Sequence, residues 1–309
     1  MYNVRNDEYA FSDKGGNMSQ FDLFCSTGTT VGRKNGYNVH LVTEIFPSLM
    51  EEGWIQGAEL MMLISYYDRM RAVADEWLRA GLIFPVIHGE KEIGTNLSDA
   101  GKAFAAGDID AGKKLHTQAI EDFRRNCEMG AMVNSRRMVL HLWGGLTSDA
   151  YISYNLSVME ELQQVIRPYG MRLLIENVPC TTEDPLRHWR RLNACGDEHG
   201  LIFDTRFGFF HRQSDAIWSD KEIVSRIEHI HISDIRGEER DFSALRPIYH
   251  PGEGMVDFRA FLRHLRENAY RGTFTLESPV ILPDGADGDK LRESLIATRK
   301  MLDGIIQDA

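Results

Sequence analysis

The sequence lacks any long hydrophobic run. No stretch of apolar residues approaches the roughly 20 residues that cross a bilayer, although 43% of the 309 residues are hydrophobic and 26% are charged. That balance is typical of an ordinary globular protein. The first twenty residues carry charges and glycines where a secretory signal needs an apolar stretch. We therefore expect no membrane span, no export signal and a cytoplasmic location.

The sequence also has few cysteines, and its acidic residues outnumber its basic ones. The four cysteines, Cys25, Cys127, Cys180 and Cys195, form no CxxC pair, which argues against a disulfide framework or a zinc ribbon. The formal net charge of -11 disfavours attraction to a phosphate backbone, because nucleic-acid affinity rests largely on Lys and Arg displacing counterions. The sequence therefore predicts that the partner is neither a nucleic acid nor a membrane.

Short apolar runs rich in Ile, Leu, Val and Phe alternate with longer amphipathic stretches, which is typical of βα units and a parallel sheet. The predicted strands are residues 21–25, 57–64, 82–88, 138–143, 172–177, 200–204, 228–233 and 273–278. The predicted helices are residues 38–52, 66–80, 99–135, 151–169, 183–195, 215–226, 257–269 and 287–307, the third being long enough for a helical pair. We therefore predict an α/β fold: a single (β/α)8 TIM barrel domain over 20–309, preceded by a short irregular arm over 1–19.

Ionisable residues lie at the carboxyl ends of these apolar strands: His88, His141, Glu176, Asp204, His231 and Glu277. In a closed parallel barrel those ends converge on one face. Three carboxylates and a histidine buried among Leu, Ile and Phe need a cation or a shared proton. Oxygen donors with one imidazole suit Mn2+, Mg2+, Co2+ or Zn2+. The set predicts one divalent metal ion at that face, whereas any one of these residues alone would more often pair with a neighbouring strand.

Several motifs resemble the xylose-isomerase-like barrel superfamily of sugar isomerases and epimerases, whose fold is shared with AP endonuclease family 2. They are LLIENV (173–178), FDT (203–205), HIHISD (229–234), YHPGEGMVDF (249–258) and FTLES (274–278). The resemblance covers the chain from about residue 20 to its end. It implies a metal ion, Mn2+ being favoured, bound by Glu176, Asp204, His231 and Glu277. It also implies that one of the two glutamates removes a proton beside the substrate carbonyl, and that the other returns a proton to the enediolate.

Six residues are predicted to contact the substrate: His88, His141, Trp143, His211, Arg246 and His250. The first two end the third and fourth strands, where superfamily members place contacts with a substrate or a second metal. Trp143 would form an apolar wall, and Arg246 would hold a carboxylate or phosphate. His211 would reach the site from the sixth loop, and His250 directly precedes the PGEG motif. Ordinary packing or surface charge is the alternative for each of them.

The predicted function is a divalent-metal-dependent isomerase or epimerase of a small sugar or polyol-derived hydroxycarbonyl compound, expected as a homo-oligomer. A dehydratase of the same superfamily uses the same groups and remains an open alternative. An endonuclease IV-like hydrolase ranks lower, because Phe207 stands where those enzymes carry a metal-binding His and residues 246–250 contain no Asp. Phe207 also replaces a residue that many family epimerases use near the substrate. A sugar-binding barrel without turnover is disfavoured by the pair Glu176 and Glu277.

Overall fold

Eight parallel strands form a closed barrel. The structure is a computed structural model that describes residues 21–196, 198–279 and 288–307; the predicted arm over 1–19 lies outside these described residues. Each strand pairs with the next along the chain, and the last pairs with the first. The predicted (β/α)8 fold is confirmed. The strands are β1 (Leu23–Ser26), β2 (Gly57–Met61), β3 (Val86–His88), β4 (Arg137–Leu140), β5 (Arg172–Glu176), β6 (His199–Asp204), β7 (Ile227–Ile232) and β8 (Thr273–Leu276).

Each predicted strand overlaps an observed one, and the bounds differ by at most four residues. The largest difference is in the run 82–88, where only β3 is paired with its neighbours. Pro85 directly precedes β3 and has no backbone N–H to donate to a ladder, so pairing begins after it. The strands are buried almost throughout, as expected for a parallel sheet covered on both faces.

The helices lie mostly where the periodicity predicts them. The long segment 99–135 is a helical pair, although its first helix begins earlier, at Glu92. Among the helices in the described ranges, none combines the length and apolar character needed to cross a bilayer. The helices are α1 (His40–Glu51), α2 (Met70–Arg79), α3 (Glu92–Ala105), α4 (Ile109–Met132), α5 (Ile152–Ser157), α6 (Met159–Ile166), α7 (Pro185–Asn193), α8 (Thr205–Phe210), α9 (Ser214–Ser219), α10 (Lys221–Val224), α11 (Phe258–Glu267) and α12 (Gly288–Gln307).

Helix α8 was not among the predicted helices. It has six residues, which is less than two turns, so no apolar period can be read from it. Its start is fixed by Asp204, whose side chain accepts a hydrogen bond from the backbone N–H of Phe207 at 2.9 Å. The carboxylate that ends β6 therefore also begins the helix that follows it.

Alternation along the strands places an apolar cluster beneath polar side chains inside the barrel. Five buried strand residues form a cluster apart from the main core, which lies between strands and helices: Phe24, Val86, Val139, Leu174 and Ile202. Residues two apart on a strand share a face. Two positions further along the chain stand His88, Glu176 and Asp204, which end β3, β5 and β6, and His141, which directly follows β4. The apolar cluster thus lies beneath these strand ends, and these four polar side chains lie above it.

Candidate metal and catalytic centre

Four ionisable side chains from neighbouring strands meet at the carboxyl end of the barrel. Glu176 ends β5, Asp204 ends β6, His231 lies on β7, and Glu277 directly follows β8. Asp204 stands opposite His231 in the parallel register of β6 and β7. One candidate ligand atom from each of the four lies within 4.8 Å of those from the other three. The structure therefore brings together the four residues for which the sequence predicted metal binding.

His231 is at the centre of this group. Its Nδ1 lies 3.0 Å from Glu176 Oε1 and 3.3 Å from Glu277 Oε2. The side chains of Glu176 and His231 are at most 1% exposed, and that of Glu277 is 10% exposed. Water is therefore largely excluded from the carboxylates, which strengthens every electrostatic interaction among them.

Burial and mutual charge shift the pKa values within the group in opposite directions. Burial opposes ionisation of Glu176, but the neighbouring His141 and His231 outweigh it and hold its pKa well below the usual range. Burial raises the pKa of Glu277 to about 7 and also raises that of Asp204, which Arg206 only partly offsets. Burial lowers the pKa of His231, but the surrounding glutamates outweigh it and raise this pKa well above its ordinary value. The group thus carries more buried negative charge than its own side chains can neutralise.

The donor set fits a divalent cation. Asp204 Oδ2 and Glu277 Oε1 are buried and make no hydrogen bond within the described structure. Buried carboxylate oxygens normally have a partner, because leaving one unsatisfied is costly. Three carboxylates with one imidazole are typical ligands of Mn2+, Mg2+, Co2+ or Zn2+. A cation held by Asp204 and Glu277 would supply the kind of partner that these oxygens lack.

Two further histidines predicted to contact substrate lie beside this group. His141 Nε2 is 2.6 Å from Glu176 Oε2, and His88 Nε2 is 3.5 Å from the same oxygen. The ring of His88 stacks on that of His231 with centroids 5.5 Å apart. His141 is the more accessible of the two, with its side chain 21% exposed against 5% for His88. Both histidines therefore adjoin the four-residue group through Glu176.

Arg206 and Phe207, which follow β6 on helix α8, adjoin the centre. Arg206 is buried, lies with its guanidinium 4.3 Å from the centroid of the Phe207 ring, and approaches Asp204 Oδ2 at 3.7 Å. The Phe207 ring lies 6.5 Å from that of His141. Burial and the charge of Arg206 lower the pKa of Arg246, whereas Glu277 raises it, so Arg246 is within electrostatic reach of the centre.

The other three predicted substrate contacts have their partners elsewhere. Trp143 is fully buried, with its ring edge against His188 at 5.1 Å between centroids. His211 accepts a hydrogen bond from the backbone N–H of Cys180 through Nε2 at 2.9 Å. His250 Nδ1 lies 2.7 Å from Ser294 Oγ on α12. The structure does not bring these three into the four-residue group.

A second set of possible metal ligands, Asp149, Cys180 and His188, is better explained as a loop anchor. The Asp149 carboxylate accepts hydrogen bonds from the backbone N–H groups of residues 181–183 at 2.7–2.9 Å, and His188 Nε2 lies 3.0 Å from it. Burial raises the pKa of the Cys180 thiol, which disfavours the thiolate that a metal requires. Asp149 therefore fixes the loop between β5 and α7.

The PGEG motif is held by another buried carboxylate, Asp234. Its Oδ2 accepts from the backbone N–H groups of Gly252 at 3.0 Å and Gly254 at 2.8 Å, and its Oδ1 accepts from Val256 at 3.0 Å. A Cβ at Gly254 would lie 2.3 Å from Asp234 Oδ1, so only glycine allows this approach. The motif thus forms a tight loop between β7 and α11.

Asp234→Asn is expected to lower the free energy of unfolding by about 1–3 kcal/mol, because an amide NH2 would face backbone donors and leave them unpaired. Urea denaturation followed by circular dichroism measures the change. The matched control is Asp241→Asn on the same loop, where an exposed carboxylate caps the short 3-10 helix Phe242–Leu245, a position that Asn fills equally well. Equal stability of Asp234→Asn and the unaltered protein would contradict the anchoring role.

Glu59 is a residue of the centre that sequence analysis missed. It lies on β2, is fully buried, and its Oε2 is 3.0 Å from Nε2 of both His229 and His231. Burial raises its pKa, but the two histidines outweigh this effect and bring the pKa below its ordinary value. The only signal in the sequence was an acidic residue inside the apolar run GAELMMLI (57–64), far along the chain from the recognisable motifs, the first of which begins at residue 173.

Comparison with known protein families gives a match over most of the chain. The model of the family described as "Xylose isomerase-like TIM barrel" matches residues 71–301. This range includes the strands from β3 to β8 and all four residues of the centre. It begins after β2 and therefore leaves out Glu59.

Three relatives of known description match shorter segments. The rhizopine catabolism protein MocC of Rhizobium meliloti is 30% identical over 100 residues, which is 29% of this chain and 30% of that protein. The inosose isomerase of Halalkalibacterium halodurans is 26% identical over 126 residues, 40% of this chain and 44% of that protein. The inosose dehydratase of Mesomycoplasma hyopneumoniae is 28% identical over 126 residues, 36% of this chain and 42% of that protein. The matched segment spans less than half the length of each relative.

Solved structures with the same fold cover nearly the whole chain. The 3-keto-D-glucoside 4-epimerase YcjR of E. coli has a TM-score of 0.60 at 16% identity, covering 91% of this chain and 99% of that one. The IOLI protein, whose structure holds a zinc atom, has a TM-score of 0.64 at 17% identity, covering 93% and 98%. A D-allulose 3-epimerase from Methylomonas sp. in complex with D-allulose has a TM-score of 0.63 at 15% identity, covering 92% and 97%. At these identities the likeness establishes the fold alone.

Proposed function

Because the chain belongs to the xylose isomerase-like TIM barrel family, we propose that it is a divalent-cation-dependent isomerase or epimerase of a small sugar or polyol-derived hydroxycarbonyl compound. The observation that carries this proposal is the convergence of Glu176, Asp204, His231 and Glu277 within 4.8 Å, with Asp204 Oδ2 and Glu277 Oε1 buried and without hydrogen bonds. Mn2+ is the ion we favour, and the zinc atom in the IOLI protein supports Zn2+ as the first alternative.

Glu176 and Glu277 would carry the proton transfer. Both approach the same nitrogen of His231, so the two carboxylates flank one position. A carboxylate has two oxygens and can hold a cation with one while the other exchanges a proton. One glutamate would take the proton from the carbon beside the substrate carbonyl, and the other would deliver a proton to the resulting enediolate. When bound, the divalent cation supplies a Lewis acid that polarises the carbonyl.

His88 and His141 would bind the substrate hydroxyl groups. Each contacts Glu176 Oε2 and lies on the same side of the centre, and imidazole nitrogens can donate to or accept from hydroxyls. Arg246 would approach the substrate from the loop after β7. The names of the inosose isomerase and inosose dehydratase relatives denote action on a polyhydroxylated ketone, which supports a hydroxycarbonyl substrate.

A dehydratase is the second candidate, favoured by the inosose dehydratase match. The first step would be the same removal of a proton beside the carbonyl. The pathways differ afterwards, because a dehydratase expels a hydroxyl as water whereas an isomerase returns a proton to carbon. The same set of side chains serves both outcomes, so the reaction products must separate them.

We expect deuterium to enter the substrate at one carbon beside the carbonyl when the protein is incubated with Mn2+ in deuterated water. The panel would contain ketoses, inososes and sugar acids, and the products would be followed by NMR and mass spectrometry. An isomerase returns a product of substrate mass plus deuterium, and a dehydratase returns one lighter by a water. The chelator-treated protein without added cation is the control. Conversion without deuterium uptake would indicate a hydride shift and contradict the proposed proton transfer.

We also propose that residues 20–309 form one domain. The pairing of β8 with β1 closes the barrel, and Arg299 on α12 donates to the backbone carbonyl of Phe21 at 2.7 Å, so the two ends of the described chain are joined. The homo-oligomer expected from the sequence stays a prediction.

A further inference from the structure

Glu59 is a carboxylate buried inside the barrel with no Lys or Arg beside it in the described contacts. Its Oε2 receives three donors at 3.0 Å: Nε2 of His229, Nε2 of His231 and Oγ1 of Thr275. Because His229 and His231 are two residues apart on β7, both rings point into the barrel. Burying a charged group in this way is unfavourable unless its partners are placed to receive it. Packing alone therefore does not account for a carboxylate at this position.

The two ring nitrogens of His231 face different carboxylates. Nε2 points to Glu59, whereas Nδ1 points to Glu176 and Glu277 at the candidate centre. A neutral imidazole carries a proton on one nitrogen and a lone pair on the other. A metal ligand must present the lone pair, and the proton on the other nitrogen usually goes to a carboxylate or carbonyl. With Nε2–H donated to Glu59, the lone pair lies on Nδ1, toward the other three predicted ligands.

We propose that Glu59 is a positioning residue for the metal centre: by accepting the Nε2 proton of His231 it fixes the ring so that Nδ1 faces the cation. This inference rests on the proposed function, because it assumes that His231 is a ligand. It adds a residue from β2, on the far side of the barrel from β5 and β6, which supply two of the other ligands. Thr275 orients Glu59 in turn, since its hydroxyl donates to the same oxygen.

Replacement of Glu59 should weaken metal binding without removing any ligand. Partners that orient a ligating histidine typically change metal affinity by about 10–100-fold when they are lost. We expect Glu59→Leu to raise the Kd for Mn2+ and for Zn2+ by about that factor. Glu59→Gln should have a smaller effect, because an amide oxygen still accepts the proton but carries no charge. Isothermal titration of the chelator-treated full chain with each metal alone measures both values.

The matched control is Leu60→Ala. Leu60 is the next residue on β2, is fully buried, and belongs to the core between strands and helices rather than to the barrel interior. Its truncation should lower stability, as is usual for a buried leucine, and leave the Kd for metal within about twofold. Loss of affinity in Leu60→Ala equal to that in Glu59→Leu would mean that general destabilisation explains the result and would overturn the inference.

A spectroscopic measurement reports the hydrogen bond directly. In the Zn2+-loaded, ¹⁵N-histidine-labelled protein, we expect a downfield, slowly exchanging Nε2 proton from His231, assigned by its absence in His231→Ala. This signal should disappear or shift upfield in Glu59→Leu and shift less in Glu59→Gln. If Glu59→Leu does not fold, an unchanged Kd and proton signal in Glu59→Gln would overturn the inference.

The outcomes separate this inference from the proposed function. If the unaltered protein binds neither Mn2+ nor Zn2+, the proposed function fails and the inference fails with it. If the unaltered protein binds metal and Glu59→Leu binds it equally well, the proposed function stands and the positioning role is wrong. Weaker binding in Glu59→Leu with normal binding in Leu60→Ala supports both.

Discussion

Glu176→Gln and Glu277→Gln are each expected to fold normally and to reduce turnover by about 10²–10⁴-fold, the range typical of a lost general acid or base. Glutamine keeps the volume of glutamate, but its amide cannot take up and release a proton as a carboxylate does. Each substitution also replaces one carboxylate oxygen of the candidate centre by an amide nitrogen, which is a poor metal ligand. Both effects act in the same direction, so these substitutions should have the largest effects on activity.

Turnover would be measured on the substrate identified in deuterated water, and folding by circular dichroism and urea denaturation. Glu228→Gln is the matched control, because Glu228 lies near the start of β7, away from the candidate centre, and pairs with Arg172. It should retain normal turnover. Normal turnover in either Glu176→Gln or Glu277→Gln would refute the assigned proton transfer.

Asp204→Ala and His231→Ala are expected to lose stoichiometric metal. Each removes one of the four proposed ligands, so the Kd for Mn2+ should rise by more than the roughly 10–100-fold typical of an outer partner. Asp204→Asn is the sharper variant at the first position, because Asn still accepts the hydrogen bond that begins α8 while the negative charge is lost. Metal analysis of the purified proteins and titration of the chelator-treated forms measure occupancy and affinity.

Two controls test whether the loss is local. Asp215→Ala removes an aspartate that is 84% exposed, and His40→Ala removes a histidine that is 67% exposed. Neither residue belongs to the four-residue group, and both variants should bind metal like the unaltered protein. Full occupancy in Asp204→Ala or His231→Ala would exclude that residue from direct metal contact.

The fold could be predicted from the sequence because the barrel repeats one local pattern eight times. Each strand is a short run of Ile, Leu, Val and Phe, and each crossover is an amphipathic stretch ended by glycine or polar residues. Strand bounds were predicted less accurately, as in the run 82–88, where Pro85 has no backbone N–H to donate and strand pairing begins only after it. Helix α8 was missed because six residues carry no period.

The candidate centre was predictable in part for a similar reason. Glu176, Asp204, His231 and Glu277 stand at or beside strand ends, and a closed parallel barrel brings all such ends to one face. Their proximity follows from topology once the strands are identified. Trp143 and His250 were chosen on their place in the sequence alone, and the structure shows that the one packs on His188 and the other contacts Ser294.

The sequence by itself determined the eight βα units, the family and the four side chains that meet at the strand ends, because each depends on local periodicity or on a contiguous motif. The tertiary structure alone decided that Glu59 contacts His231, 172 residues away along the chain, and that Asp149 and Asp234 anchor loops. Those contacts depend on which side chains face each other across the barrel interior or across a loop. Such pairs depend on strand register and on the direction of each side chain. Neither property produces a recognisable sequence pattern that links residues so far apart in the chain.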